Sequence, residues 1–228
     1  MASMFRYFDW VLFFCCIALF YFFPELDLAV SHFFYDSASG SWWGNSQAPI
    51  VVLYDFLRYL PYVLVPFLLF LLLWNGYRTG AKSLKTRISV FLFLSLLIGP
   101  GFLVHSVFKE SFDRARPRQV QEFAGQKQFT PAFVVSNSCD KRCSSFQSGH
   151  AAMGFWFMAW AWVYRRRSLF WLGLALGVAA SLGRVTQGGH FLSDTLFAGF
   201  TCYFVCRYLS WKILGYANIQ DDRLKKSV

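Results

Sequence analysis

Long apolar runs recur along this 228-residue chain, and they restrict the folds that it can adopt. Several runs approach or exceed the roughly 18 apolar residues with which a helix crosses a bilayer. Hydrophobic residues make up 56% of the chain and charged residues only 15%, which is too little charge for a soluble domain of this size. We therefore predict an all-α, polytopic membrane helical bundle of about six transmembrane helices, at 7–23, 53–74, 88–108, 148–164, 168–181 and 191–211.

The first apolar run is expected to stay in the protein as a membrane span. The stretch Pro24-Glu25-Leu26-Asp27 follows it and lacks the small residues of a signal-peptide cleavage site. The fifth span is short unless it continues past Gly183. Trp42 and Trp43 are expected at a membrane interface, where tryptophan is enriched. No internal repeat or low-complexity segment is present, and residues 1–228 are predicted to form one domain.

The net charge of +10 is distributed unevenly over the predicted bundle. Six spans place both termini on one side, which carries 13 Lys and Arg against three Asp, whereas the other side carries nine cations against nine acids. Cytoplasmic loops of membrane proteins are rich in Lys and Arg, and the clusters at 78–87 and 165–167 fit that rule. The termini are therefore expected to be cytoplasmic, with loops 24–52, 109–147 and 182–190 outside. Nucleic acid, the other partner that a basic chain suggests, is not expected.

The 109–147 loop carries more positive charge than an outward loop should. Connections of this length are usually functional or disordered, and an anionic ligand would account for the charge. Arg114 and Arg118 are consistent either with a position beside that ligand or with simple solvation, so neither belongs to the candidate site. The seven cations of the loop are Lys109, Arg114, Arg116, Arg118, Lys127, Lys141 and Arg142.

Two cysteines in the same loop, Cys139 and Cys143, are predicted to form a disulfide. An outward compartment is oxidising, which favours the bond. A CxxxC half of a metal site is the alternative, although no second pair of ligands is evident in the sequence. The other four cysteines fall within predicted spans, where packing is the simpler role.

Three short stretches, each beside an apolar run, together supply Lys and Arg cations, two histidines and acidic residues. They read KESFDRARP at 109–117, SGH at 148–150 and GRVTQGGHFLSD at 183–194. Ionisable groups next to hydrocarbon are expensive and mark functional sites. The topology drawn from charge alone brings all three stretches to the outward face, so the sequence predicts a single site at that membrane surface.

The residue types in these stretches suit phosphoryl transfer. Such a reaction needs its phosphate oxygens neutralised, a nucleophile in line and an acid for the leaving oxygen. Lys109, Arg116 and Arg184 can neutralise the phosphate. Ser148 and Gly149 stand where a helix is predicted to begin, and the free backbone amides there favour an anion.

The candidate catalytic groups are His190, His150 and Asp194. His190 and Asp194 are four residues apart, and they share a helix face if the helix has already begun at His190. A carboxylate at this spacing can hold one imidazole nitrogen and leave the other free to attack phosphorus. His150 can then protonate the leaving alkoxide.

In order and in spacing, the three stretches resemble the tripartite signature of the type 2 phosphatidic acid phosphatase superfamily. That pattern is Lys, six residues and Arg-Pro, then Ser-Gly-His, then Arg, five residues, His, three residues and Asp. Two positions depart from it, since Gln147 and Gly183 stand where proline and serine are usual. The resemblance implies no metal and no cofactor. It implies that His190 forms a phosphohistidine, that Asp194 orients it and that His150 is the general acid, with phosphate bound by Lys109, Arg116, Ser148, Gly149 and Arg184.

The segment FTPAFVVSNSCDKRCSSFQSGHAAMGF also resembles the bacterial subgroup that dephosphorylates lipid A. The points of similarity are the PAF element and the paired cysteines before SGH. This resemblance implies hydrolysis of the 1- or 4'-phosphate of lipid A. The active site would then be at the periplasmic face of the bacterial inner membrane, with a phospholipid or glycolipid phosphate and the bilayer as partners.

Other functions stay open at this point. Undecaprenyl diphosphate and phosphatidylglycerophosphate are alternative substrates within the superfamily, and transfer of the phosphoryl group to a lipid is an alternative reaction. A non-enzymatic alternative is an anionic-lipid-binding membrane protein, for which the cationic outward loop would be equally suitable. That alternative leaves the spacing of His190 and Asp194 unexplained.

Overall fold

The computed structural model describes residues 7–136 and 143–219, which form a bundle of helices with one short hairpin. The two strands, β1 (Tyr35–Asp36) and β2 (Ser41–Trp42), pair antiparallel. The helices are α1 (Phe8–Phe22), α2 (Glu25–His32), α3 (Ala48–Thr79), α4 (Leu84–Leu96), α5 (Lys109–Phe112), α6 (Gly149–Trp156), α7 (Ala159–Tyr164), α8 (Arg167–Thr186) and α9 (Leu192–Leu209).

Each predicted span coincides with helix, although several are not single regular helices. Helix α4 continues as wider π-helical turns over Leu97–Phe108, which contain Pro100. Proline has no N–H to donate to the helical ladder, and wide turns of this kind are rare outside functional sites. The fourth span is broken between α6 and α7. The fifth continues past Gly183 and ends at Thr186, so α8 reaches 20 residues.

Three of the described helices are long and apolar enough to cross a membrane, namely Ala48–Thr79, Leu84–Phe108 and Arg167–Thr186. A fourth span counts if α1 and α2, which are bent by 84° at a short break, are taken together. By itself α1 has 15 residues. It is about 22 Å long, which is shorter than the roughly 30 Å of a hydrocarbon core. Length and composition thus support three or four of the six predicted spans.

The outer surface of α3 is apolar along most of its length. Only 11% of its most apolar window is buried against the rest of the protein. Phe56, Tyr62, Phe67 and Leu73 are each more than half exposed. Water would disfavour this surface by about 25 cal/mol for each Å² of apolar area, whereas lipid hydrocarbon would not. The outer face of α3 is therefore suited to contact lipid.

The segment between α1 and α3 is folded over the turn that follows α8. Trp42 is 6% exposed and packs with Val120 and Phe123. A Cβ added to Gly188 would lie 2.2 Å from the Trp42 indole, so the ring rests directly on that turn. The predicted interfacial position of Trp42 is therefore wrong, because the ring is needed to cover the turn, whereas Trp43 is 53% exposed.

Helix α6 lies inside the bundle, where it packs against α8 and α9. Every residue from 151 to 156 is buried. The closest approach to α8 is at Gly154, where an added Cβ would lie 2.9 Å from the Cα of Gly177. Small residues permit such close packing of membrane helices. This contact between the helices fixes the start of α6, at residues 148–150, relative to Arg184 near the end of α8.

Gly154→Ala is expected to destabilise the fold by about 1–3 kcal/mol, because the added methyl group meets backbone atoms of α8 that cannot move aside. Gly76→Ala in α3 is the matched control, since no described atom lies within 4 Å of its added Cβ. Thermal unfolding of the detergent-solubilised variants measures the difference. Equal midpoints for the two variants would contradict close packing of α6 on α8.

Candidate active site

A buried arginine, Arg114, joins the loop after α5 to α2 and to the start of α9. Arg114 is 1% exposed. Its Nη2 donates to Asp27 Oδ2 at 2.8 Å and its Nη1 to Asp194 Oδ1 at 2.6 Å. Its Nε donates to the Thr130 carbonyl, and its Cζ lies 4.4 Å from the centre of the Phe191 ring. Burial opposes the charge of Arg114, but Asp194 and Asp27 raise its pKa above the ordinary value. Arg114 is therefore not a solvated loop residue.

The two carboxylates of this network are also bonded by two serines. Ser193 donates to Asp27 through its backbone N–H at 2.9 Å and through its hydroxyl at 2.5 Å. Asp194 Oδ2 accepts from the Ser145 hydroxyl at 2.5 Å and from the Phe191 N–H at 2.8 Å. Buried carboxylates are tolerated where such bonds and a cation replace the lost hydration. The network therefore ties α2, the loop after α5 and the start of α9 together.

His190 lies in the turn before α9 and is 2% exposed. Its Nδ1 is 2.8 Å from the Ser145 carbonyl oxygen. Because a carbonyl only accepts, Nδ1 carries the hydrogen and Nε2 keeps its lone pair. Asp194 Oδ2 is 3.7 Å from the same Nδ1. Helix α9 begins only at Leu192, so His190 and Asp194 do not share a helix face, and the direct hydrogen bond to the imidazole belongs to Ser145.

The imidazole of His190 is held in its neutral form. Burial lowers its pKa to about 3, and the charges of Arg184 and Arg116 act in the same direction, whereas Asp194 acts against them. A neutral imidazole with a free Nε2 lone pair is the form that can attack phosphorus. His190 is therefore prepared to act as a nucleophile over the whole physiological pH range.

His150 and Arg184 meet on the ring of Tyr54, near the start of α3. The His150 ring stacks on Tyr54 with centroids 4.5 Å apart, and Arg184 Cζ lies 4.7 Å from the same ring. Arg184 also donates to Gln187 Oε1 at 2.6 Å. Its guanidinium approaches the backbone beside His190 so closely that a Cβ on Gly189 would lie 2.1 Å from Nη2.

Two buried nitrogens in this pair lack a hydrogen-bond partner within the described ranges, His150 Nε2 and Arg184 Nε. Buried polar atoms nearly always have a partner in a folded protein. Both nitrogens belong to residues that the sequence assigned to phosphate chemistry. Both nitrogens are therefore candidates to hydrogen-bond a bound ligand.

Lys109 faces the start of α6 across a cavity of about 440 Å³, which is lined by Lys109, Gly149, His150 and mainly apolar residues of α3 and the α4 segment. A Cβ added to Gly149 would lie 3.6 Å from Lys109 Nζ, so the lysine ammonium is next to the start of α6. Burial and, after it, the charges of Arg116 and Arg184 together lower the pKa of Lys109 to about 8, against the opposing charge of Asp194. Lys109 therefore lines the cavity, and Arg116 and Arg184 lie near enough for their charges to act on it.

The first turn of α6 offers further donors for an anion. Ser148 is the N-cap residue, and its hydroxyl oxygen accepts from the Ala151 N–H at 3.4 Å. The Ser148 N–H donates to the Asp194 carbonyl at 3.1 Å, so it is already used. The amides of Gly149 and His150 lie in the unpaired first turn, where anions bind.

Gln147, one of the two departures from the family pattern, does not line this cavity. Its side chain is 2% exposed and accepts a hydrogen bond from the Thr201 hydroxyl at 3.0 Å. The residue therefore packs against α9. The other departure, Gly183, belongs to the last turns of α8. A Cβ added at this position would lie 3.4 Å from the Ile50 side chain.

The structure brings the predicted cations, histidines and carboxylate together, and it adds four residues that sequence reasoning missed. These are Asp27, Tyr54, Arg114 and Ser145. An acid directly after an apolar run, such as Asp27, is a usable sequence signal. Tyr54 and Ser145 carry none, because aromatic and serine residues are frequent throughout this chain.

Cys143 is disulfide-bonded, and its N–H donates to Asp113 Oδ1 at 2.9 Å. Cys139, its predicted partner, lies outside the described residues, so that pairing stays a prediction. Over residues 7–136 and 143–219, no group of three or more His, Cys, Asp or Glu side chains is arranged to hold a metal ion. The free cysteines of this part of the chain are Cys15, Cys16, Cys202 and Cys206.

Comparison with known families identifies the class to which this fold and site belong. The model of the PAP2 superfamily matches residues 88–218, which contain all three motif stretches. The match covers more than half of the chain, and the chain belongs to this superfamily. The resemblance drawn from the motifs is thereby confirmed.

Three characterised relatives are named as lipid A 4'-phosphatases. The protein from Francisella tularensis subsp. novicida (strain U112) is 36% identical over 185 residues, covering 79% of this chain and 83% of the relative. The Rhizobium leguminosarum protein is 29% identical, with 79% and 84% covered. The Rhizobium etli protein is 30% identical, with 78% and 75% covered. No solved structure matches the chain.

Arg114→Met is expected to lower the free energy of unfolding by about 3–5 kcal/mol, because it leaves two buried carboxylates without their cation. Arg118→Met is the matched control. Its side chain is exposed on the same loop and should tolerate the same change with little loss. Thermal unfolding in detergent measures both variants. Similar losses in the two would contradict the buried network.

The lowered pKa of Lys109 predicts an alkaline limit to activity. Above pH about 8 the free enzyme loses this cation, so kcat/KM for a phosphate substrate should fall as the pH rises further. Lys109→Arg keeps a charge at higher pH, and its alkaline limb should move upward even if its maximal rate is lower. Profiles of kcat/KM against pH for both proteins provide the test. An unchanged limb in the variant would mean that another group sets it.

Proposed function

We propose that this protein is a membrane lipid phosphatase that hydrolyses the 4'-phosphate of lipid A through a phosphohistidine. The observation that carries the proposal is the neutral, buried His190 beside the unpartnered Nε2 of His150, with the charges of Lys109, Arg116 and Arg184 close by. Lys109 and His150 also line a cavity that continues between apolar helices. An anion attached to an acyl lipid fits both halves of this cavity. Similarity to lipid A 4'-phosphatases supports the choice of lipid and of phosphate position.

The first step transfers the phosphoryl group to His190. The Nε2 lone pair forms a bond to phosphorus, the P–O ester bond breaks, and its electron pair leaves with the lipid oxygen. Protonated His150 donates its proton to that oxygen, so the lipid departs as an alcohol. Lys109, Arg116 and Arg184 neutralise the phosphate oxygens. These cations disfavour a proton on His150 until the phosphate dianion arrives with its negative charge.

The second step returns His190 to its starting form. Neutral His150 removes a proton from water as the water oxygen bonds to phosphorus, and the N–P bond breaks with its electrons returning to Nε2. Inorganic phosphate leaves, and His150 is protonated again. Neutralisation by three basic side chains takes the place that a metal ion occupies in other phosphatases, so the reaction is proposed to be metal-independent.

The active site is proposed to lie at the periplasmic face of the bacterial inner membrane, with both termini in the cytoplasm and about six spans. The uneven charge supports this orientation, because the excess of Lys and Arg lies on the side opposite the three motifs. The apolar outer face of α3 supports contact with lipid. Lipid A enters the site from the outer leaflet in this arrangement.

Purified protein should release phosphate from lipid A faster than from undecaprenyl diphosphate or phosphatidylglycerophosphate, and mass spectrometry should show loss of the 4'-phosphate. His190→Ala and His150→Ala should each reduce the rate by roughly 10²–10⁴-fold or more, since each group acts in the chemical step. His32→Ala, an exposed histidine on α2, is the matched control. Substrate presented outside sealed spheroplasts tests the orientation in the same experiment.

Different outcomes separate the alternatives. A phosphoenzyme that is labile in acid and stable in base, and phosphate that acquires oxygen from labelled water, would support hydrolysis. Phosphate found on a second lipid would indicate transfer. Lipid binding without turnover over the whole panel would favour the non-enzymatic alternative. Near wild-type rates for both histidine variants would overturn the mechanism.

A further inference from the structure

Two basic side chains that line the cavity have no role in the proposed reaction. Arg58 on α3 and His105 on the π-helical segment line it together with Lys109 and His150. Arg58 forms no ion pair with a carboxylate of the described residues, and its ring contact is with Tyr59 at 5.6 Å. An arginine within an apolar membrane helix is expensive and marks a functional position.

The positions of these two residues place them one helical turn farther from the phosphate-binding end. Arg58 follows Tyr54, on which His150 and Arg184 rest, by about 6 Å along α3. His105 precedes Lys109 by four residues on the facing segment. Both residues are exposed and line the cavity, and neither is packed in the core.

Farther along, the walls of the cavity become apolar. Val65 lies two turns beyond Arg58 on α3, and Leu97 lies about two turns beyond His105. From the site outward, the cavity therefore presents phosphate-binding cations, then Arg58 and His105, and then hydrocarbon-like walls.

The leaving group must occupy this cavity. His150 protonates the leaving oxygen and also lines the cavity, so the alcohol half of the substrate extends into it. An acylated lipid phosphate has the same order of chemistry, because the ester or amide carbonyls of its acyl linkages lie between the phosphate and the hydrocarbon. Polyprenyl phosphates have no carbonyl at that position.

We propose that Arg58 and His105 form a subsite for the carbonyl oxygens of the acyl linkages next to the scissile phosphate. The subsite rests on the proposed function and deepens it, since it selects acylated lipid phosphates against isoprenoid ones. A guanidinium and an imidazole N–H are both suitable donors for carbonyl oxygen. A donor one helical turn from the phosphate-binding residues would also hold the phosphate ester in position for in-line attack by His190.

Two synthetic lipid A substrates test this subsite. They are identical except that the acyl linkage beside the 4'-phosphate is an ester in one and an ether in the other. Wild-type protein should have a kcat/KM about tenfold or more higher for the ester. Arg58→Met, which keeps length and loses the donors, should reduce that preference to near unity by slowing only the ester substrate. His105→Leu should reduce it in the same direction.

Val65→Ala is the control within the cavity, and it should affect the two substrates by the same factor because it changes only apolar contact. Thermal unfolding of each variant establishes that it is folded. Equal losses on ester and ether in Arg58→Met would overturn the subsite, as would equal use of both substrates by the wild-type protein. A loss that depends instead on the second phosphate of the substrate would identify an anion site and also overturn it. If the wild-type protein hydrolyses neither substrate, the proposed function itself fails.

Discussion

One arginine shared by two buried carboxylates holds the site together. Arg114 bonds Asp27 on one side and Asp194 on the other, all three at or below 1% exposure. Two acids share one base in the interior, and a charge there is stable only where its surroundings are oriented toward it. The imidazole of His190 lies beside this charge and donates from Nδ1 to the Ser145 carbonyl. The tautomer of this imidazole, and hence the nitrogen that keeps its lone pair, follows from the hydrogen bond to Ser145.

The Asp194 carboxylate and the nearby arginines have opposite effects on the pKa of the His190 imidazole. Arg184 and Arg116 lower the pKa of the imidazole together with burial, whereas Asp194 raises it. When Nε2 bonds to phosphorus and Nδ1 keeps its hydrogen, the imidazole ring itself becomes formally cationic, so a carboxylate beside Nδ1 stabilises the ring more in the intermediate than in the starting form. The cations in turn favour the anionic substrate. The two sets of charges therefore act at different points of the proposed reaction.

Apolar runs and motif spacing were sufficient to predict where the chain is helical and which motif residues the structure brings close together, because both depend on local sequence. Arg114 and Arg118 show the limit of prediction from local sequence. They are the same residue type four positions apart, yet one is the centre of a buried network and the other is exposed. Which of them turns inward depends on Asp27, 87 residues away, and no local pattern encodes that pairing. The burial of Trp42 was not predicted for the same reason, since it depends on the distant turn at Gly188. Span number is also only partly predictable, because α1 is short and the fourth span is broken.

The folded segment between α1 and α3 has a consequence for how the protein can be divided. The family match begins at residue 88, and all three motifs lie within it. Asp27, Trp42 and Tyr54 precede that boundary, yet they supply the counterion of Arg114, the cover of the Gly188 turn and the ring beneath His150. A fragment that begins at the boundary would retain every motif residue and lack their supports. The site in this chain therefore depends on residues outside the region that the family model matches.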